Sequence, residues 1–248
     1  MLLSHTVGLG YDNRDPELVR WGKATGRKVN HLTFTKEGFT TPFKFVPGQG
    51  WCYGSAIDWA CMLLTRVTGL SLGEYMQKHI FDKLGMADTG LHPETLSHTA
   101  NRSAPGSLRQ PDGTVKEFPL PFPATIEVES GGAGLFTTAA DYAKFLVGFL
   151  NGDLLKTETM DEMFQDQLTE VQKDSLQDQA GGEEHMQYIP DLPKGTKVTS
   201  GLGGLLSLED VLGKRGKGSM SWSGAFNSRW VSPLSDLYVF DANSVTVD

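Results

Sequence analysis

The stretch at residues 217–240, KGSMSWSGAFNSRWVSPLSDLYVF, sets Trp222-Ser223-Gly224 between a small-residue lead-in and runs that alternate as paired strands do. An aromatic, a hydroxyl and a glycine on a strand edge suit acyl chemistry. The glycine keeps the edge flat, so an acyl group can lie alongside. A fixed backbone N–H aimed at a developing oxyanion then lowers the barrier by about 3 kcal/mol. The plain alternative is a Trp packed on a sheet. Other reactive residue types offer less. Cys52 and Cys61 lie nine residues apart and make neither a disulfide framework nor a zinc pattern. Free thiols in a reducing, cytoplasmic setting are therefore expected. The six histidines never fall at i, i+4 with a Glu between them, so no helical metal motif is present. The glycines at 131–134 (GGAG) lack the Lys and the strand-loop-helix setting of a phosphate cradle. The basic GKRGKGS at 213–219 is interleaved with Gly and reads as a solvated turn. No metal and no cofactor is expected.

Such residues need elements to hold them. Residues 1–50 are irregular apart from a short helix over 15–25. Pro47-Gly48 and Gly50 mark a turn, after which Ser55-x-x-Asp58 opens a helix with Ile57, Cys61, Leu64 and Thr68 on one face and Gly69 as its stop. A second box, Ser71-x-x-Glu74, opens a helix to about Phe81, with His79 partly buried at its end. Residues 92–130 are Pro-rich and weakly periodic, the signature of a long loop lying over a site. Thr138-x-x-Asp141 caps a helix with Tyr142, Phe145, Leu146 and Phe149 on one face, ended by Asn151-Gly152. One or two surface helices are expected over 157–180, and QDQAGGEEH reads as a mobile loop. From Gly201 on, four runs separated by turn residues predict an antiparallel meander. The expected class is α+β, an antiparallel sheet flanked by helices, in one domain. A helical and loop subdomain would cover about 10–195, and the strands about 200–243.

The totals narrow the function. A net charge of -8 and a pI near 5.2 argue against nucleic acid, which demands clustered Lys and Arg. The longest apolar runs fall far short of the roughly 20 residues a bilayer-spanning helix needs. MLLSHTVGLGY has neither a basic n-region nor an apolar stretch of signal-peptide length.

Four islands in order resemble the class C β-lactamase and penicillin-binding-protein-like serine hydrolases, and within them the fungal esterase and transesterase branch (lovastatin acyltransferase-like). They are LLSHTVGL at 2–9, the run from PGQGWCYGSAIDW to KLGMADT at 47–89, ESGGAGLFTTAADYAKFLVGFLNG at 129–152 and GSMSWSGAFNSRWVSP at 218–233. The resemblance implies a β-lactamase/transpeptidase-like fold. It makes Trp222-Ser223-Gly224 the three-residue signature of the inner strand, lining the acyl site, and gives the N–H of Ala225 half of an oxyanion hole. It makes the phenol of Tyr53, in Tyr53-Gly54-Ser55, the group that takes and returns the proton in acyl transfer. Ser55 stands where lactamases carry Asn, a departure shared by esterase relatives that argues against β-lactam hydrolysis. A Tyr filling the core near a helix cap is the bland alternative.

The family nucleophile is the Ser of Ser-x-x-Lys, whose spacing sets the amine beside the hydroxyl on one helical turn. No serine here has Lys three residues on. Thr41-Pro42-Phe43-Lys44 has the wrong residue and a Pro inside, and Lys194-Gly195-Thr196 has the wrong order for Lys-Thr-Gly. Ser4 and Ser223 have no recognisable base nearby. Against the family, the chain reads as shortened at its N-terminus and also at its C-terminus. An unpaired sheet edge, with poor solubility or oligomerisation, is the expected consequence. The resemblance implies an acyl-transfer enzyme, an ester hydrolase or transesterase taking small-molecule acyl esters or thioesters, an acyl-carrier-bound donor among them. The alternative is an inactive remnant that keeps a small-molecule pocket. No nucleic-acid or membrane partner is expected.

Overall fold

The computed structural model describes residues 1–99, 101–119, 122–123, 125–182, 188–224 and 229–232. In chain order the helices are α1 (Pro16–Thr25), α2 (Lys36–Phe39), α3 (Ala56–Thr68), α4 (Leu72–Met76), α5 (Asp82–Leu84), α6 (Ala139–Leu150), α7 (Thr157–Met163) and α8 (Glu170–Gly181). The strands are β1 (Ser107–Arg109), β2 (Val115–Glu117), β3 (Val198–Ser200), β4 (Leu205–Ser207), β5 (Met220–Ser223) and β6 (Arg229–Ser232). Helices and antiparallel strands together make the α+β class expected from the sequence. The chain divides into two units interleaved in sequence: 1–9, 43–56 and 146–248 form the first, and 10–42 and 57–145 the second.

The first unit is built on the four-stranded antiparallel sheet β3-β4-β5-β6. β3 begins earlier than expected, because the run Val198–Ser200 is buried at every position rather than alternating, so period-2 reading passes over it. Trp222 pairs with Trp230 and Ser223 with Arg229 across β5 and β6. Residues 237–243, expected as a last strand, lie outside the described residues.

The core beneath the sheet joins Val198 and Leu205 to Leu168, Leu176, Ala180, Ile189, Leu192 and the fully buried Trp51. Of the surface helices expected over 157–180, α7 buries no residue, as expected, and α8 corrects the expectation. α8 drives Leu176 and Ala180, both 0 % exposed, into this core. Its adjoining polar side chains also satisfy backbone that belongs to no helix or strand. Gln172 Nε2 donates to Gly48 O at 2.7 Å, Gln179 Nε2 to Trp51 O at 2.8 Å and Ser175 Oγ to Trp51 O at 3.1 Å, while Trp51 N donates to Ser175 Oγ at 3.2 Å. Buried carbonyls in irregular chain must find donors, and a polar helix stripe supplies them. Sequence alone reads that stripe as solvent-facing. The helix also runs through residues 177–181 of the stretch expected as a mobile loop, and 183–187 lie outside the described residues.

In the second unit the Ser71 and Thr138 caps fall as expected, and Asp15, expected within its helix, proves to be the cap before it. Asp15 accepts from Glu17 N and Leu18 N at the start of α1, and Ser71 and Glu74 close a reciprocal box on α4. Gly69 (φ 72°) and Gly85 (φ 64°) adopt the left-handed conformation that suits a helix stop. The helix beginning at Leu72 continues past Phe81, through a π-helical turn at Gln77–Phe81, to Leu84. The 92–130 segment is not structureless. Pro93–Thr95 form a 3-10 turn, and β1 and β2 form an exposed hairpin closed at Pro111-Asp112-Gly113, where Asp112 accepts from Thr114 N at 2.9 Å. The Pro-Asp-Gly signal for that turn was present in the sequence.

Leu176→Ala is expected to destabilise the protein by about 2–5 kcal/mol in urea unfolding, through lost burial and the cavity left behind. Val171→Ala, at an exposed position of the same helix, should change stability by at most about 0.5 kcal/mol.

Candidate active site

Tyr53 and Trp222 come together in the first unit. Their ring centroids are 4.8 Å apart with planes tilted by 53°. Both are half-buried. Trp222 arrives there because side chains alternate along β5: Met220, on the same face, is 1 % exposed and packs inward, and Trp222 follows it at the edge of the core. Tyr53 arrives through Trp51, two residues earlier in irregular backbone, whose carbonyl α8 holds. Ser223 is half-buried at the end of β5, and Gly224 follows it, exposed. Ala225 lies outside the described residues.

Three further residues complete the cluster. Tyr188 is 5 % exposed and sets its ring edge-on to Tyr53 at 6.0 Å and to Trp51 at 5.6 Å. His5 stacks on Trp222 at 5.9 Å with planes 14° apart, and meets Tyr53 at 5.0 Å and Trp51 at 5.9 Å edge-on. The sequence offered no signal for Tyr188, which follows a polar stretch. His5 and Trp51 stood inside quoted islands, but nothing in their spacing gave them a role at the site.

The imidazole in the cluster is neutral at pH 7. Burial alone pulls the His5 imidazole from 6.5 down to about 4. Its Nδ1 and the Nε1 of Trp51 are buried without a hydrogen-bond partner among the described residues. No group of three or more metal-ligating side chains is found among the described residues.

The glycine stretch in the second unit serves packing. Ser130 Oγ donates to Asp58 Oδ1 at 2.6 Å, and Gly132 N donates to the same oxygen at 3.1 Å. A side chain at Gly131 would collide with Cys61 Sγ. Burial pushes the Asp58 carboxyl above the usual carboxylate range, against the pull of the Ser130 and Gly132 hydrogen bonds. Burial, with the Asp58 charge beside it, pushes the Cys61 thiol up to about 11. Cys61 is therefore a packed thiol and no nucleophile at neutral pH. Two grooves of about 360 and 410 Å³ also lie in this unit. His92 and Ile126 line both, and Phe34, Phe122 and Phe136 line the larger.

With this arrangement in view, comparison with known proteins is informative. A family model described as Beta-lactamase matches residues 1–240, and the chain belongs to that family. It is 36% identical over 244 residues to the lovastatin esterase of Penicillium rubens, a match covering 93% of this chain and 59% of that protein. It is 34% identical over 250 residues to the monacolin J acid methylbutanoyltransferase of Aspergillus terreus, covering 95% and 59%. Among solved structures, the LovD6 mutant of simvastatin synthase from Aspergillus terreus superimposes with a TM-score of 0.81 at 33% identity, covering 94% of this chain and 57% of that one. The fold is thus β-lactamase/transpeptidase-like, as the four islands implied. The chain spans about three-fifths of the length of the curated relatives it matches.

The His5 shift predicts an acid sensitivity. Between about 4 and 6.5 the unfolded chain binds the imidazole proton and the folded chain does not. This contribution to stability is complete above about pH 6.5 and is lost as pH falls towards 4, by about 3 kcal/mol in all. Unfolding free energies measured across that window should fall more steeply for the wild type than for His5→Phe. Parallel curves would assign the acid sensitivity to another group.

Proposed function

We propose that this chain carries the acyl-facing part of a small-molecule acyl-transfer enzyme, an ester hydrolase or transesterase of fungal secondary metabolism. The observation that carries the reading is the Tyr53–Trp222 pair, ring centroids 4.8 Å apart, with Trp222 on a strand that ends at Ser223 just before Gly224. The names of the relatives, an esterase and a methylbutanoyltransferase, support the same chemistry.

In this reading Tyr53 takes the proton of the attacking hydroxyl and returns it to the leaving group. The acyl chain lies along the strand edge at Ser223 and Gly224 with Trp222 as one wall. The Ala225 N–H is half of the oxyanion hole. Water or an alcohol accepts the acyl group, and the dryness of the site decides between hydrolysis and transfer. The donor is an acyl ester or thioester, a carrier-borne one included. No Lys three residues on marks any serine as the residue that takes the acyl group. That observation favours a second reading, a module that binds the acyl compound without turning it over.

p-Nitrophenyl butyrate separates the two. The acyl-transfer reading expects release of p-nitrophenolate, with Tyr53→Phe lowering the rate about 10²–10⁴-fold. Equal release by both proteins would remove Tyr53 from the chemistry. Saturable quenching of Trp emission with no release would establish the binding reading.

A further inference from the structure

We infer that His5 is a positioning residue: its imidazole is a flat aromatic plate that fixes the angle between Tyr53 and Trp222, and so the shape of the acyl site. The inference rests on the reading of that pair as the acyl site, and goes beyond it by assigning the pair's geometry to one residue.

His5 has φ 56°, one of two non-glycine residues with positive φ among the described residues. This left-handed conformation costs an L-residue about 1–2 kcal/mol. It persists because the surroundings over-determine it. His5 N donates to Leu2 O at 3.3 Å, His5 O accepts from Cys52 N at 2.9 Å, and Thr6 N donates to Met1 O at 3.0 Å. The hydrogen bond from Cys52 joins His5 directly to the residue before Tyr53. Strain that surrounding structure sustains in this way concentrates at functional sites. Here its product is the placement of one ring, which meets Trp222 face to face and Tyr53 and Trp51 edge-on.

Other roles for the imidazole fit less well. It is 7 % exposed, whereas Tyr53 and Trp222 are half-buried and more open to a ligand. No metal-ligating group of three is found among the described residues. Its Nδ1 has no partner there, so the ring acts through its faces and edges. Burial holds it neutral, which also makes it a weak base.

The test compares the wild type with His5→Asn and His5→Phe in the 248-residue chain at pH 7. Asn tolerates the left-handed backbone but removes the plate; Phe keeps the plate and removes the nitrogens. Two readouts are taken: the near-ultraviolet circular dichroism of the cluster, assigned by its loss in Trp222→Phe, and the affinity for p-nitrophenyl butyrate from Trp quenching. His5→Asn should lose the band and bind about tenfold more weakly, and His5→Phe should restore both relative to His5→Asn. A band and affinity unchanged in His5→Asn would overturn the inference, since the backbone turn would then suffice. Loss in His5→Phe as deep as in His5→Asn would also overturn it, assigning the role to the nitrogens. If His5→Asn does not fold, His5→Phe decides alone, its band kept or lost. If even the wild type binds no ester, the acyl reading fails, while the circular dichroism still decides whether His5 sets the pair.

Discussion

Everything at the candidate site depends on how one irregular piece of backbone, residues 48–53, is held. It forms no helix and no strand, so its buried carbonyls have no ladder partners and must be satisfied otherwise. Gln172, Ser175 and Gln179 do so from one face of α8, while the N–H groups of Gly48 and Cys52 donate to the carbonyls of Thr6 and His5 in the N-terminal segment. With both sides tied, Trp51 is fully buried and Tyr53, two residues on, faces the same cluster. The helix supplies apolar core and polar clamp at once. Its Leu176 and Ala180 contribute burial, and the amides beside them fix geometry that burial alone would leave loose.

The cluster that results is aromatic. His5, Trp51, Tyr53, Tyr188 and Trp222 meet at tilted and edge-on angles, with one near-parallel stack, and these arrangements suit ring quadrupoles. A charge in that setting would be unsolvated. Hence the imidazole is neutral, and hence a polar event at the Tyr53 phenol would be felt more strongly than in water. The second unit resolves its polar groups differently. Asp58 is buried but accepts from the Ser130 hydroxyl and the Gly132 amide, and Asp12, also buried, accepts from Arg27 Nε at 2.8 Å. Hydrogen bonds satisfy these two carboxylates, whereas the His5 Nδ1 in the first unit has no partner among the described residues.

The glycines at 131–134 show how one residue type can suggest several functions before its neighbours are known. In sequence they admit a phosphate cradle or a close approach of backbone. In the structure the space at Gly131 is filled by the Cys61 sulfur, and Gly132 donates to Asp58. Close approach is the reason for glycine, and what approaches is the chain's own helix α3.

Sequence alone determined the features that depend on a few neighbouring residues. Caps at Ser71 and Thr138, stops at Gly69 and Gly152, and the alternation that makes β5 a strand are decided within a turn or two of chain, so they could be read directly. The ordered islands also carried the family and its fold. Tertiary structure decided the rest. The polar stripe of α8 looked solvent-facing because its backbone partners lie more than a hundred residues away. β3 was missed because burial on both faces erases alternation, while the Pro-Asp-Gly turn of the β1–β2 hairpin was legible and was passed over. Tyr53 and Trp222 could be singled out from their islands, but His5 and Tyr188 could not be joined to them. A left-handed backbone at one histidine, and the convergence of distant segments on it, are properties of the packed chain and not of any local pattern.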